Sequence, residues 1–180
     1  MRRFRLIVLI LLSIYAVSGL TQVRPEERAV VRRFGAIVAI WEPGLHIGLP
    51  IGIDRIDRIA VASVRNLVVG NQPGTGPMLT ADQNLVQVQV AIEYTVDGSP
   101  EGIADYLRQR DQADLVLART AESLIAEWIA SNDVDSTLLT GSVEIPRWLM
   151  RELPNRLTAQ RLGIVLQQAS VGALTPPDEV

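Results

Sequence analysis

The 180-residue chain has no cysteine, no lysine and a single histidine. Without cysteine there can be no disulfide, no thiolate metal ligand, no cysteine nucleophile and no lipid-bearing cysteine. Without lysine there is no Schiff base, no Ser-Lys dyad and no phosphate-loop lysine. His46 has no second histidine or cysteine with which to build a metal site or a catalytic pair. All 17 basic residues are Arg, as GC-rich codon usage would produce. The net charge is −3, and Arg2, Arg3 and Arg5 precede everything else, so the rest of the chain is more acidic still. A domain of that sign lacks the basic face that nucleic acid or anionic headgroups require. Hydrophobic residues at 48% and charged residues at 21% are values of a globular chain with a core.

One long uncharged run is present. Leu6, Ile7, Leu9, Ile10, Leu12, Ile14, Tyr15 and Leu20 lie in a stretch that stays uncharged to Val23. A helical span needs about 17–25 residues, which this stretch just meets. A signal peptide fits as well, with Ala16-Val17-Ser18 as a cleavage site. Either way the Arg cluster stays cytoplasmic and Arg24 onward is exported.

The exported part begins β-rich. Arg28 to Phe34 and Ile37 to Trp41 read as strands joined at Gly35, and a third is expected near Ile56 to Val69. Pro43-Gly44 suits a tight turn, and it predicts a hairpin that folds two apolar stretches together. Gly70 to Pro77 is a loop by its Gly and Pro content. Leu85 to Val96 alternates strictly: Val86, Val88, Val90, Ile92, Tyr94 and Val96 on one face, Gln87, Gln89, Ala91, Glu93 and Thr95 on the other.

The period then changes. A short helix is expected from Pro100 to Leu107, and a long one capped by Asp111 and running to about Ala130. Leu117, Ala121, Leu124 and Trp128 share one face of the long helix. A further helix from near Ser142 carries Ile145, Leu149, Leu153 and Leu157, with a kink or break at Pro154 and an end at Gly163. Ile164 to Val171 reads as a final strand.

Other groups that could do chemistry read more simply as structure. His46 beside a Pro-Gly turn packs or bonds the backbone. Gly70 to Gly76 lacks the context of a phosphate loop. Asp54-Arg55 and Asp57-Arg58 make a solvated strand edge, and Asp82 and Asn84 an Asx-stabilised turn.

The order of segments resembles the SPFH family (stomatin, prohibitin, flotillin, HflK and HflC), also called Band 7. The residues that carry the resemblance are Val30-Val31-Arg32-Arg33-Phe34-Gly35, Glu42-Pro43-Gly44-Leu45-His46 with Leu49-Pro50, and Met78 to Val86. Ala121-Glu122-Ser123, Gly163-Ile164 and Pro176-Pro177-Asp178-Glu179-Val180 add to it. Within the family the likeness is strongest to the HflK branch. It implies an α+β fold: antiparallel sheet and hairpins first, then helices and a last strand, preceded by one N-terminal transmembrane helix. The expected layout is an anchor at 1–23 and an SPFH domain at 24–180, β-rich over about 24–97 and α/β over about 98–180. The coiled coil that follows in the family is absent from these residues.

The function implied is that of a non-enzymatic scaffold without cofactor or metal. It sits in the bacterial inner membrane as a single-pass protein, with the SPFH domain on the periplasmic face. The partners implied are the lipid bilayer, further copies of itself, an HflC-like paralogue and an FtsH-like membrane protease. The residues expected next to the membrane are Pro43, Gly44, Leu45, His46, Ile47, Leu49 and Pro50. The rival reading is a secreted or tethered binding module with no protease partner. A hydrolase ranks below both, because no serine has a His or Lys partner in the pattern.

Overall fold

The computed structural model describes Tyr15 and residues 19–49, 53–70 and 76–176. These residues divide into two compact units, one ending at Ser63 and one beginning at Val64. The division falls upstream of position 97, where the sequence changes from a strand to a helix period. The single strand expected over Ile56 to Val69 is therefore two strands, one in each unit.

The first unit holds β1 (Leu20–Val23), β2 (Glu27–Arg33), β3 (Ala36–Trp41), β4 (Gly44–Ile47) and β5 (Asp54–Ala60). Strand β2 is central, with β3 on one edge and β5 on the other, both antiparallel. Its consecutive Ala29, Val30 and Val31 are all buried, so both faces of the strand are covered. The β2–β3 connection is a two-residue turn with positive φ at both Phe34 (51°) and Gly35 (87°). Two such residues match the right-handed twist of the flanking strands. Glycine adopts this conformation freely, whereas Phe34 is strained by roughly 1–2 kcal/mol. Val38 is an extra residue on β3, bulged between the Val31–Ala39 and Arg32–Ile37 pairs.

Two sequence expectations change here. Leu20 to Val23, placed above at the end of a helical anchor, form strand β1 instead. The Pro43-Gly44 turn does not join a hairpin, because β3 pairs with β2 while β4 pairs with β1. The ladder groups of β4 are taken by β1, and side chains close the corner between β3 and β4.

The second unit comprises β6 (Arg65–Val69), β7 (Met78–Leu79), β8 (Leu85–Val96), three helices and β9 (Ile164–Thr175). The helices are α1 (Pro100–Gln109), α2 (Ala113–Ala130) and α3 (Val134–Leu157), the last followed by a 3-10 turn at Thr158–Gln160. Strand β8 has β6 and β7 along one edge and β9 along the other, all antiparallel. Its alternation holds residue for residue: Val86, Val88, Val90, Ile92, Tyr94 and Val96 are buried. All but Val96 share one core cluster with Leu117, Ala121, Leu124, Ile145, Leu149 and Leu153 of α2 and α3.

The helix ends depart from expectation in instructive ways. Asp111 does not cap α2: Gln112 holds that position without a side-chain bond, after a turn closed by its N–H on the Gln109 carbonyl (2.8 Å). Helix α3 starts at Val134 rather than Ser142, with the Asp133 carboxylate accepting the Ser136 N–H at 2.7 Å. Gly141 is no break, because the helix lies so close to β9 there that a Cβ would meet Leu174 Cδ2 at 2.9 Å. The helix also runs uninterrupted through Pro146 and Pro154. Each proline costs the helix about 3 kcal/mol. The buried stripe Ile145, Leu149, Leu153 and Leu157 offsets that at about 1.5–3 kcal/mol per side chain.

Leu124 is 1% exposed at the α2 contact with β8. Leu124→Ala should therefore cost about 2–5 kcal/mol in urea unfolding. A loss below about 0.5 kcal/mol, the level of an ordinary surface change, would mean that this helix face is not in the core.

Candidate functional site

Among the described residues no group of three His, Cys, Asp or Glu could hold a metal. The features that could meet a partner are surfaces. In the first unit, β1 and β4 pair with Leu20 opposite Ile47 and Gln22 opposite Leu45. Those four side chains therefore share one face, and Leu45 (66%) and Ile47 (80%) are well exposed on it. On the other face, His46 stacks on Trp41 with centroids 5.0 Å apart and planes 8° apart. His46 Nε2–H donates to the Glu42 carbonyl at 2.8 Å. The histidine is thus a brace for the Pro43-Gly44 corner.

Asp54 ties this end together. Its carboxylate accepts a two-pronged bond from Arg33 (2.9 and 3.2 Å) and the Leu49 N–H (3.0 Å). Its side chain is only 2% exposed. The Arg33 guanidinium first, then the Leu49 N–H, hold the Asp54 carboxyl below its ordinary 3.8. Gly48 N–H donates to the Gly19 carbonyl at 2.9 Å, which joins the same end to the start of β1. Sequence reading took Asp54 for a solvated edge residue, because nothing local points to a partner 21 positions away.

In the second unit the acids are committed to structure. Thr80 Oγ1–H donates to Asp82 Oδ1 (2.6 Å), and Asn84 Nδ2–H to Asp82 Oδ2 (2.8 Å). The Val134 N–H also reaches Asp82 Oδ1 (3.1 Å). The Thr80 hydroxyl is the main cause of the lowered Asp82 pKa. The Asx-type turn expected at Asp82 and Asn84 is present, and it also caps α3. Tyr94 O–H donates to Asp114 in the first turn of α2; burial first, then Asp114, pushes the phenol well above its ordinary 10.0. A cleft of about 510 Å³ is lined by α1, the C-terminal part of α3 and the start of β9. Its Asp97 accepts the Ser99 N–H and its Asp105 holds Arg108 and Arg161, so neither is free to act as a base.

Residues 21–180 match the model of the SPFH domain / Band 7 family. The chain belongs to that family. It is 33% identical over 167 residues to "Modulator of FtsH protease HflK" of Escherichia coli K12, covering 93% of this chain and 38% of the relative. It is 28% identical over 177 residues to "Protein HflK" of Buchnera aphidicola (Acyrthosiphon pisum), covering 98% and 41%. A more distant "Protein HflK" from Borreliella burgdorferi is 20% identical over 184 residues. The chain spans about two fifths of the length of the first two relatives.

The SPFH fold, with antiparallel sheets, then helices and a final strand, is thus the one the resemblance implied. Of the anchor residues, Leu6, Ile7, Leu9, Ile10, Leu12 and Ile14 lie outside the described residues. Tyr15 is helical and Leu20 is in β1. Among the described residues no helix is long and apolar enough to cross a membrane. Pro43, Gly44, Leu45 and Ile47 are exposed around the β3–β4 corner with Leu49 beside them, and Pro50 lies outside the described residues. Sequence reading missed Phe34, which is 92% exposed. Its only signal is the Phe-Gly pair at a turn where Asn-Gly or Gly-Gly is usual.

Asp54, Asp82 and Asp133 are all held below their ordinary 3.8 in the folded chain, Asp133 chiefly by the Ser136 N–H. Their stabilisation is fully present above that value. It is lost as the pH falls below 3.8 toward the depressed folded values, because the unfolded chain takes up protons first. The melting temperature should drop on acidification through that range, and less steeply in Asp54→Asn. An unchanged acid profile in that variant would mean that the Arg33 pairing contributes nothing to stability.

Proposed function

We propose that this SPFH protein is a membrane-anchored, non-enzymatic scaffold subunit of the HflK type, which assembles side by side and modulates an FtsH-like membrane protease. The observation that carries this reading is the likeness to a protein named as a modulator of FtsH protease, over 93% of the chain. The layout agrees with it. The uncharged run from Leu6 anchors the chain, with Arg2, Arg3 and Arg5 on the cytoplasmic side and the SPFH domain across the bacterial inner membrane. The exposed apolar face of β1 and β4 (Leu20, Leu45, Ile47) lies against the bilayer interface. No residue performs covalent chemistry; the work is done by shape, contact and exclusion. An HflC-like paralogue alternates with it in the assembly.

Side-by-side rings need large repeated contacts, and a long helix after the domain would supply much of that area. In mild detergent the 180-residue chain should run as a monomer or small oligomer. A chain lengthened past Val180 by a coiled-coil helix should form a very large particle that brings down an FtsH-like protease. If the lengthened chain stays small and captures no protease, the scaffold reading fails. Alkaline carbonate extraction provides an independent check: the protein should stay in the membrane pellet at full mass. Release of a species cut after Ser18 would favour a secreted binding module instead.

A further inference from the structure

Helix α3 meets α2 along one flank. A Cβ on Gly141 would stand 3.6 Å from Trp128 Cη2, and Arg156 pairs with Glu127 at 3.1 Å. A second flank is apolar and has no helix beside it among the described residues. Leu139, Val143, Pro146, Met150 and Pro154 recur there at spacings of four and three residues. On a helix that spacing holds them within about 80° of one another, and Gly141 and Arg156 fall outside the arc. Leu139 is 80% and Val143 52% exposed, Pro154 is exposed, and Pro146 and Met150 are half-buried. The C-terminal end of the stripe opens into the cleft between α1, α3 and β9, where Met150 and Pro154 meet Ile164, Val165 and Leu166. The helical layer over the sheet thus ends on an apolar side.

Two further features define what would cover it. Each proline lacks the N–H that would bond the carbonyl four residues back, so the Ser142 and Met150 carbonyls have lost their helical donors. Both ends of the stripe are acidic. Asp135 lies one turn before Leu139, and Asp97 and Glu101 line the cleft at the far end. Asp135 and Glu101 have no ion-pair partner among the described residues. Around the cleft Arg108 and Arg161 share Asp105, so two arginines stand against three carboxylates. Beside the stripe Arg147 pairs with Glu144 and Arg151 with Glu152. A second copy of this flank would bring acceptors to acceptors, and an acidic partner would meet more carboxylates than cations. We propose that the open flank of α3 is a docking seat for a cationic amphipathic helix of a partner protein, which lies along α3 as the next helix of the layer. Its apolar stripe covers Leu139, Val143, Pro146 and Met150, and its Lys or Arg side chains reach Asp135, Glu101 and the two freed carbonyls. From Asp135 to Pro154 the seat is about 28 Å long, the length of about 18–20 helical residues. The inference stands on the second unit alone and does not need the membrane-anchored reading.

The absence of native cysteine allows single-site labelling. A bimane dye placed by Val143→Cys reads the seat, and one placed by Leu115→Cys reads an exposed site on α2 for reference. The full chain in phosphatidylcholine nanodiscs would be titrated with synthetic peptides of about 18 residues. One is a Leu/Lys helix with its leucines on a single stripe, one is the same helix with Glu for Lys, and one is Leu/Lys in shuffled order. The striped Leu/Lys peptide should shift the emission at 143 to the blue and protect it from iodide, saturably, with 115 unchanged. The Glu version should bind about tenfold more weakly or worse, and the shuffled peptide should be silent. Asp135→Asn with Glu101→Gln should weaken the Leu/Lys peptide severalfold at an unchanged melting temperature. Equal binding of the Lys and Glu peptides, or an affinity unmoved by that double substitution, overturns the cationic partner. An equal response at 115 means general adhesion and overturns the seat, as does silence of all the peptides. Shielding at 143 that needs no peptide and grows with protein density assigns the flank to a second copy and overturns the proposal. Pro154→Ala returns an N–H to the Met150 carbonyl; it should raise the melting temperature and weaken the peptide, and an unchanged affinity overturns the carbonyl contact.

Discussion

A strand with neighbours on both edges has no main-chain groups left to satisfy, so its two faces decide what the rest of the domain can be. Strand β8 is in that position, with β6 and β7 on one side and β9 on the other. Its inward face is continuously apolar over twelve residues, and that length fixes how much helix must cover it. Helices α2 and α3 supply the cover with stripes of Leu, Ile and Ala. The demand is strong enough for α3 to carry two prolines without interruption. Removing the alternation of β8 would leave no surface on which the helices and β9 could be placed.

The parts legible from sequence are those where burial alone imposes a period. The faces of β8 and the stripes through Leu117, Ala121 and Leu124 and through Ile145, Leu149, Leu153 and Leu157 are read directly. What was not legible depends on partners far along the chain. The Pro43-Gly44 turn signals a reversal but not which strand will receive β4, and β1 was hidden inside an apolar run that reads as helix. The final strand continues to Thr175, past the end expected at Val171, and its alternation is broken by bulges at Gln167 and Gly172. The start of α3 was obscured by Gly141, whose reason is the proximity of Leu174. Phe34 gave no warning, because a residue ill-suited to its turn is visible only once the turn is known.

The two units use charge differently. In the first, Arg33 pairs with Asp54 while Arg32 and Arg55 share Asp57 at the base of the β2–β3 hairpin, and apolar side chains stand at its tip. In the second, Asp82, Asp97, Asp105, Asp114 and Asp133 are tied to backbone amides, hydroxyls or arginines of the same unit.

The bond from the Val134 N–H to Asp82 spans 52 positions. The first amide of α3 is therefore held by the turn that precedes β8 and not by its own helix. Ordinary helix ends exchange their amide hydrogens quickly by fraying. Here exchange at Val134 requires its bond to the Asp82 carboxylate to break, so a proton at the surface of the helix reports on a side chain of the β7–β8 turn.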